Sequence, residues 1–116
     1  MPDSMTMFRL SGLPDFQAGD DLAQSMIDTL RRNNQPLIEG DILVIAHKVV
    51  SKSEGACAYL DQITPSQDAI ELAKTVNKDP RKVEVILSQS KRIVRAVKRP
   101  DQEEGTLIAE HKNGYI

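Results

Sequence analysis

Aromatic side chains are nearly missing from this chain of 116 residues: it has Phe8, Phe16, Tyr59 and Tyr115, and no tryptophan. Surfaces that hold single-stranded nucleic acid stack bases on exposed rings, so four scattered aromatics argue against such a platform. Cysteine occurs once, as Cys57. One thiol forms no intramolecular disulfide, which suits a reducing cytosol. A nucleophilic cysteine needs a base beside it, and the only histidines are His47 and His111. Cys57 is therefore expected as a small, buried or half-buried strand residue. No apolar run approaches the roughly 20 residues of a membrane span. The opening stretch MPDSMTMFRL lacks the apolar core of a signal peptide. The expectation is a cytoplasmic protein with no membrane contact. Also missing are a Walker loop, a dinucleotide glycine fingerprint, zinc-ligand spacing and a nucleophile elbow.

What is present is the composition of an ordinary globular chain: 40% hydrophobic, 28% charged, net charge −2. The length predicts one domain, with a core large enough to need no disulfide or metal staple. The patterning predicts a mixed α/β fold, a mixed sheet with three helices. Strands are expected at 7–10, 41–46, 56–63, 92–98 and 106–109, the second of them (Ile42, Leu43, Val44, Ile45) apolar on both faces. Leu22, Ala23, Met26, Ile27 and Leu30 share one side of a first helix, with Asp20 as its N-cap. Thr64, Pro65 and Gln67 form a capping-box start for a second helix with Ala69, Ile70, Leu72, Ala73 and Val76 inward. Asp79-Pro80 starts a third, with Val83, Ile86 and Leu87 inward, after a tight connection near Asn77-Lys78. Asn113-Gly114 is a turn dipeptide.

Two charged features are candidates for chemistry. Lys48 and Lys52 lie beside the end of the 41–46 strand, interleaved with Ser51, Ser53 and Gly55. Lysine ammonium groups suit phosphate oxygens, and backbone N–H groups of a Ser/Gly turn supplement them; the plainer alternative is solvated surface. The second feature is the segment 74–99, where nine Lys and Arg residues face only Asp79 and Glu84. Such a segment attracts polyanions if its cations share a face, and is an ordinary solvated surface if they do not. His47 is a candidate base or phosphate-facing donor, or a hydrogen-bonded boundary residue. Asp20-Asp21 is explained by helix capping without a metal.

Taken together, Gly12-Leu13-Pro14, Gly19-Asp20-Asp21-Leu22, the stretch 40–55 and Lys78-Asp79-Pro80-Arg81-Lys82-Val83 occur in an order that resembles the N-terminal part of coenzyme F(420)-0:gamma-glutamyl ligases. The likeness runs from Phe8 onward, and 40–55 is its most specific element. It implies a family-specific mixed α/β fold, a homodimer, and a GTP-dependent ligase that uses Mg²⁺ or Mn²⁺. The implied reaction activates the carboxylate of a deazaflavin coenzyme precursor as an acyl phosphate, which the amine of L-glutamate attacks to form an amide. Carried over by position, the nucleotide contacts fall on Gly12, Leu13, Pro14, Asp15, His47, Lys48 and Lys52. Asp15 stands where an apolar residue is usual, and His47 where a small or amide residue is usual. The family's metal ligands start in an Asn-Ala-Gly-x-Asp segment that these residues do not include. No metal ligand or catalytic residue is therefore assigned, and the expectation is part of a ligase, inactive by itself. The alternative is a non-catalytic nucleotide-binding or oligomerisation module of the same fold; nucleic acid is not an expected partner.

Overall fold

The structure is a computed structural model that describes residues 3–116; the first two residues of the N-terminal stretch judged for a leader lie outside them. The chain divides into two compact units, Met1–Cys57 and Ala58–Ile116. The mixed α/β character is as expected. Among the described residues it is built from four α-helices, one 3₁₀ turn and a two-stranded antiparallel ribbon.

In the first unit, α1 spans Leu22–Arg32. Its cap is one residue later than expected. Asp21 accepts from the Gln24 N–H at 2.9 Å, while Asp20 accepts from the Gln17 N–H at 2.7 Å and holds the preceding turn. Asn34, at φ 53°, closes the C-terminus, with the Gln35 N–H donating to Leu30 O at 2.9 Å. This is the left-handed closure that Asn tolerates better than most residues. Leu30, Thr29 and Phe16 are buried.

The 41–46 run adopts no regular structure and pairs with no strand among the described residues. Ile42 is 86% exposed and Val44 92%. A strand that is apolar on both faces needs neighbours on each side, and these residues supply none. The strands expected at 7–10 and 56–63 are likewise unformed, and part of the latter is the 3₁₀ turn Leu60–Gln62. Cys57 is exposed and outside any strand, a correction with the same cause: no sheet forms there to cover it.

After this run the chain enters α2, His47–Ser53, where a strand end and loop were expected. The Gly55 N–H donates to Lys52 O at 3.0 Å and the Ala56 N–H to Ser51 O at 2.8 Å. That pair of bonds, with Gly55 at φ 70°, is a Schellman closure. The closing glycine is what permits so short a helix to end cleanly, because a left-handed backbone strains any residue with a Cβ.

In the second unit, α3 (Gln67–Val76) and α4 (Pro80–Gln89) form a hairpin through the expected tight connection, with Asn77 at φ 52°. The α3 cap is Ser66 rather than Thr64. Its hydroxyl accepts from the Ala69 N–H, and its own N–H and O–H both donate to the Glu84 carboxylate, at 2.7 and 2.6 Å. A carboxylate from α4 thus fixes the start of α3, a tertiary contact that no local pattern announces. Asp79 caps α4 as expected, with Pro80 at the first helical position. Ala69 and Ala73 lie one turn apart and admit Val83 closely; Leu72, Leu87 and Leu107 pack around them. The ribbon joins β1 (Ser90–Val97) to β2 (Thr106–His111), with Val97 opposite Thr106 and Ser90 opposite His111. The Asn113-Gly114 turn then brings the Tyr115 carbonyl back to the His111 N–H at 2.8 Å.

Asp79 also receives Arg81, whose guanidinium donates at 2.7 Å and holds the carboxyl down from an ordinary 3.8 to about 2. Glu84 is lowered by the Ser66 hydroxyl, and Glu104 by Lys78. All three bind protons less readily in the folded chain than in the unfolded one. Their contribution to stability is therefore complete above the ordinary carboxylate pKa and drains as the pH falls. For Asp79 the window runs from 3.8 down to about 2. Urea midpoints measured across that interval should decline, and Asp79→Asn should flatten the decline. An identical slope in the variant would remove Asp79 from the acid response.

Candidate functional site

The expected nucleotide contacts all fall in the first unit. The 12–15 loop is held at both ends. Upstream, the Ser11 carbonyl accepts from the Asn33 side chain at 2.9 Å, at the end of α1. Downstream, the Gly19 N–H donates to Ser53 O at 2.9 Å, at the last residue of α2. Phe16 is buried and anchors the segment between them. Gly12 has φ 86°, a conformation that glycine adopts without strain. Gly12, Pro14 and Asp15 are exposed and Leu13 is half-buried.

The helix α2 changes the relation between the two lysines. Lys48 and Lys52 are four residues apart, hence on one face and separated by about 6 Å along the axis. Both are exposed, while Val49, Val50 and Ser53 are half-buried. Like charges at this spacing repel by a few tenths of a kcal/mol. None of the ion pairs among the described residues engages either lysine. A phosphate between them would turn that repulsion into two charge-assisted contacts. Ser51, three residues after Lys48, belongs to the same stretch of surface. His47 opens the helix, exposed, and its side chain makes no hydrogen bond among the described residues.

A cleft of about 280 Å³ in this unit, lined by Ile27, Leu30, Arg31, Pro36 and Leu37, contains none of the expected contacts. The carboxylates offer little to a cation. Asp20 and Asp21 are engaged at the turn and the cap, Asp15 stands alone, and no three His, Cys, Asp or Glu side chains among the described residues lie together. No described helix is long and apolar enough to cross a membrane.

Five of the nine cations in the basic segment 74–99 are held in ion pairs within the second unit, while Lys74, Lys82, Arg95 and Lys98 enter none among the described residues. Lys78 pairs with Glu104 at 2.9 Å, Arg81 with Asp79 at 2.7 Å, Arg92 with Glu110 at 2.7 Å, Lys91 with the same carboxylate at 4.0 Å, and Arg99 with Asp101 at 3.4 Å. Three of those partners, Asp101, Glu104 and Glu110, lie outside the segment, so a count of its own charges could not find them.

The family model for F420-0:Gamma-glutamyl ligase matches residues 12–116. The chain belongs to this family. Curated relatives named "Coenzyme F420:L-glutamate ligase" agree with the match. The protein of Methanopyrus kandleri is 52% identical over 98 residues, covering 84% of this chain and 34% of the relative. That of Methanocaldococcus jannaschii is 39% identical over 104 residues, 90% of this chain and 38% of the relative. That of Methanothermobacter thermautotrophicus is 35% identical over 112 residues, 97% of this chain and 42% of the relative. This gamma-glutamyl ligase family member thus spans about two-fifths of the length of the relatives it matches.

Proposed function

We propose that the chain is the nucleotide-binding portion of a GTP-dependent ligase that forms an amide between L-glutamate and the carboxylate of a deazaflavin coenzyme precursor. In this reading the precursor's carboxylate takes the γ-phosphoryl group, releasing GDP. The glutamate amine then attacks the acyl phosphate and releases phosphate. The observation that carries the reading is the unpaired Lys48–Lys52 face of α2. Gly19, four residues past the 12–15 loop, donates its N–H to Ser53 O on that helix, which supports a shared role for the loop and the two lysines. His47, Leu13, Pro14, Gly12 and Asp15 complete the proposed contacts. A divalent metal, Mg²⁺ or Mn²⁺, would neutralise charge between the β- and γ-phosphates, but the carboxylates described above do not make a site for it. A homodimer in the cytoplasm is part of the proposal, and the exposed run at Ile42–Ile45 offers apolar surface for pairing. The ion pairs that engage five of the nine 74–99 cations support leaving nucleic acid out of its partners.

The scarcity of metal-binding carboxylates favours a second reading, a non-catalytic nucleotide-binding or oligomerisation module. Both readings share the lysine face and differ in whether that face serves a catalytic ligase. Calorimetry tests the shared part. Lys52→Ala should weaken GTP binding more than tenfold, since a charge-assisted contact contributes about 1.5–3 kcal/mol. Unchanged affinity would remove Lys52 from the site.

A further inference from the structure

In the second unit Leu107 packs on the α3–α4 core. Side chains alternate along a strand, so Thr106 and Ile108 face away from the helices. Across the ladder they stand opposite Val97 and Arg95. These four residues, with Arg99 and Gln102, line a cleft of about 190 Å³ on the outer face of the ribbon.

The chemistry of that lining is one-sided. It holds two guanidinium groups, a hydroxyl and an amide beside the apolar side chains of Val97 and Ile108, and no carboxylate. Arg95 enters no ion pair among the described residues, whereas Lys78, Arg81, Lys91 and Arg92 of the same basic segment all do. Arg99 reaches Asp101 at 3.4 Å, but the two side chains are 66% and 72% exposed, and such a pair contributes little in water. The Gln102 Oε1 accepts from the Arg99 N–H at 3.3 Å, and both donors of the amide remain available to an anion. Two cations and several donors therefore meet here with no carboxylate in the lining.

We propose that this cleft binds the oxyanion of a small organic molecule, a phosphate ester or a carboxylate, with the apolar body of the molecule against Val97 and Ile108. A planar guanidinium presents two parallel N–H groups that match the paired oxygens of either group. At about 30 Å³ per water in the liquid, the volume equals roughly six waters, enough for such a group and a short apolar body. A polymeric anion is a poorer match, because it needs a continuous basic track, and Lys91 and Arg92 on the same ribbon are held by Glu110.

Amide chemical shifts of the 116-residue chain, titrated separately with phenyl phosphate, benzoate and inorganic phosphate, test this. The expected result is saturable shifts centred on Arg95, Val97, Thr106 and Ile108, with affinities of about 1 mM for an organic anion. Inorganic phosphate, which lacks the apolar body, should bind more weakly than phenyl phosphate. Whichever of phenyl phosphate and benzoate binds more tightly identifies the oxyanion. Arg95→Gln should weaken binding roughly tenfold, Arg95→Lys should fall between, and Lys74→Gln on α3 should change nothing. Absence of shifts at these residues with both organic anions up to about 10 mM overturns the proposal. So does inorganic phosphate binding as tightly as phenyl phosphate, or undiminished binding to Arg95→Gln. The map on the unaltered chain decides the matter by itself should Arg95→Gln fail to fold.

Discussion

Gly105→Ala should be among the most damaging single-methyl additions to this chain. Gly105 is buried, and its N–H donates at 2.7 Å to Val76 O at the C-terminus of α3. A Cβ there would stand 2.6 Å from the Val97 carbonyl oxygen, 2.9 Å from Lys98 Cβ and 3.1 Å from Lys98 Cα. The oxygen and the Cα are backbone atoms of the chain leaving β1, so no rotamer change relieves the clash. The segment around Gly105 has little freedom to retreat. The Asn77 side chain donates to Glu103 O at 2.8 Å, and Lys78 pairs with Glu104 at 2.9 Å. Overpacking of this kind costs about 1–3 kcal/mol, and more where the backbone must move. For a unit of this size each kcal/mol lowers the melting temperature by about 4–8 °C. Thermal and urea unfolding followed by circular dichroism would read the loss. A melting temperature within about 2 °C of the parent would mean that the turn after β1 yields freely.

The other large effect is an expected loss of function in the chain by itself. With GTP, a deazaflavin precursor, L-glutamate and Mg²⁺ or Mn²⁺, the purified 116-residue chain should form no amide. Its affinity for GTP should hardly depend on added metal. Phosphoryl transfer relies on a cation to stabilise charge developing on the phosphates. The described residues bring no three metal-binding side chains together. Asp20 is committed to the Gln17 N–H at 2.7 Å and Asp21 to the Gln24 N–H at 2.9 Å, leaving Asp15 as a single ligand. Metal-dependent turnover by a sample whose mass ends at Ile116 would overturn this expectation. It would point to a cation site around Asp15. Silence in this assay together with GTP binding through Lys52 is the combination that both proposed readings predict.

The helices that were plain in the sequence are those whose signals are local. Asp79-Pro80 names both the cap and the first helical residue of α4, and the inward Val83 follows from it. α1 is similarly announced by the spacing of its apolar residues. Only its cap moved, because two adjacent aspartates both accept backbone N–H groups and either could be the terminal one. α2 was missed for a specific reason. Val49 and Val50 are β-branched and follow an apolar run, so propensity favoured a strand end. The contrary signal was Gly55, placed where a left-handed closure needs it. Treating that glycine as a C-terminal stop, with Lys52 in the last turn, would have revealed the helix and hence the common face of Lys48 and Lys52.

Local pattern by itself determined the mixed α/β character, the α3–α4 hairpin and its tight connection, the turn at Asn113-Gly114 and the lysine pair as the first candidate for phosphate. These rest on neighbours within a few residues, where caps, turns and helical spacing act directly on the backbone. Only tertiary structure decided what depends on partners distant in the chain. Glu84 selects Ser66 over Thr64 as the α3 cap from 18 residues away. Acids outside the basic segment pair with four of its nine cations. Arg95, Arg99 and Thr106 meet in one cleft because the β1–β2 register places them there. The 41–46 run shows the same division from the other side. Its composition favours a strand, but a strand is a relation between two segments, and no described strand pairs with it.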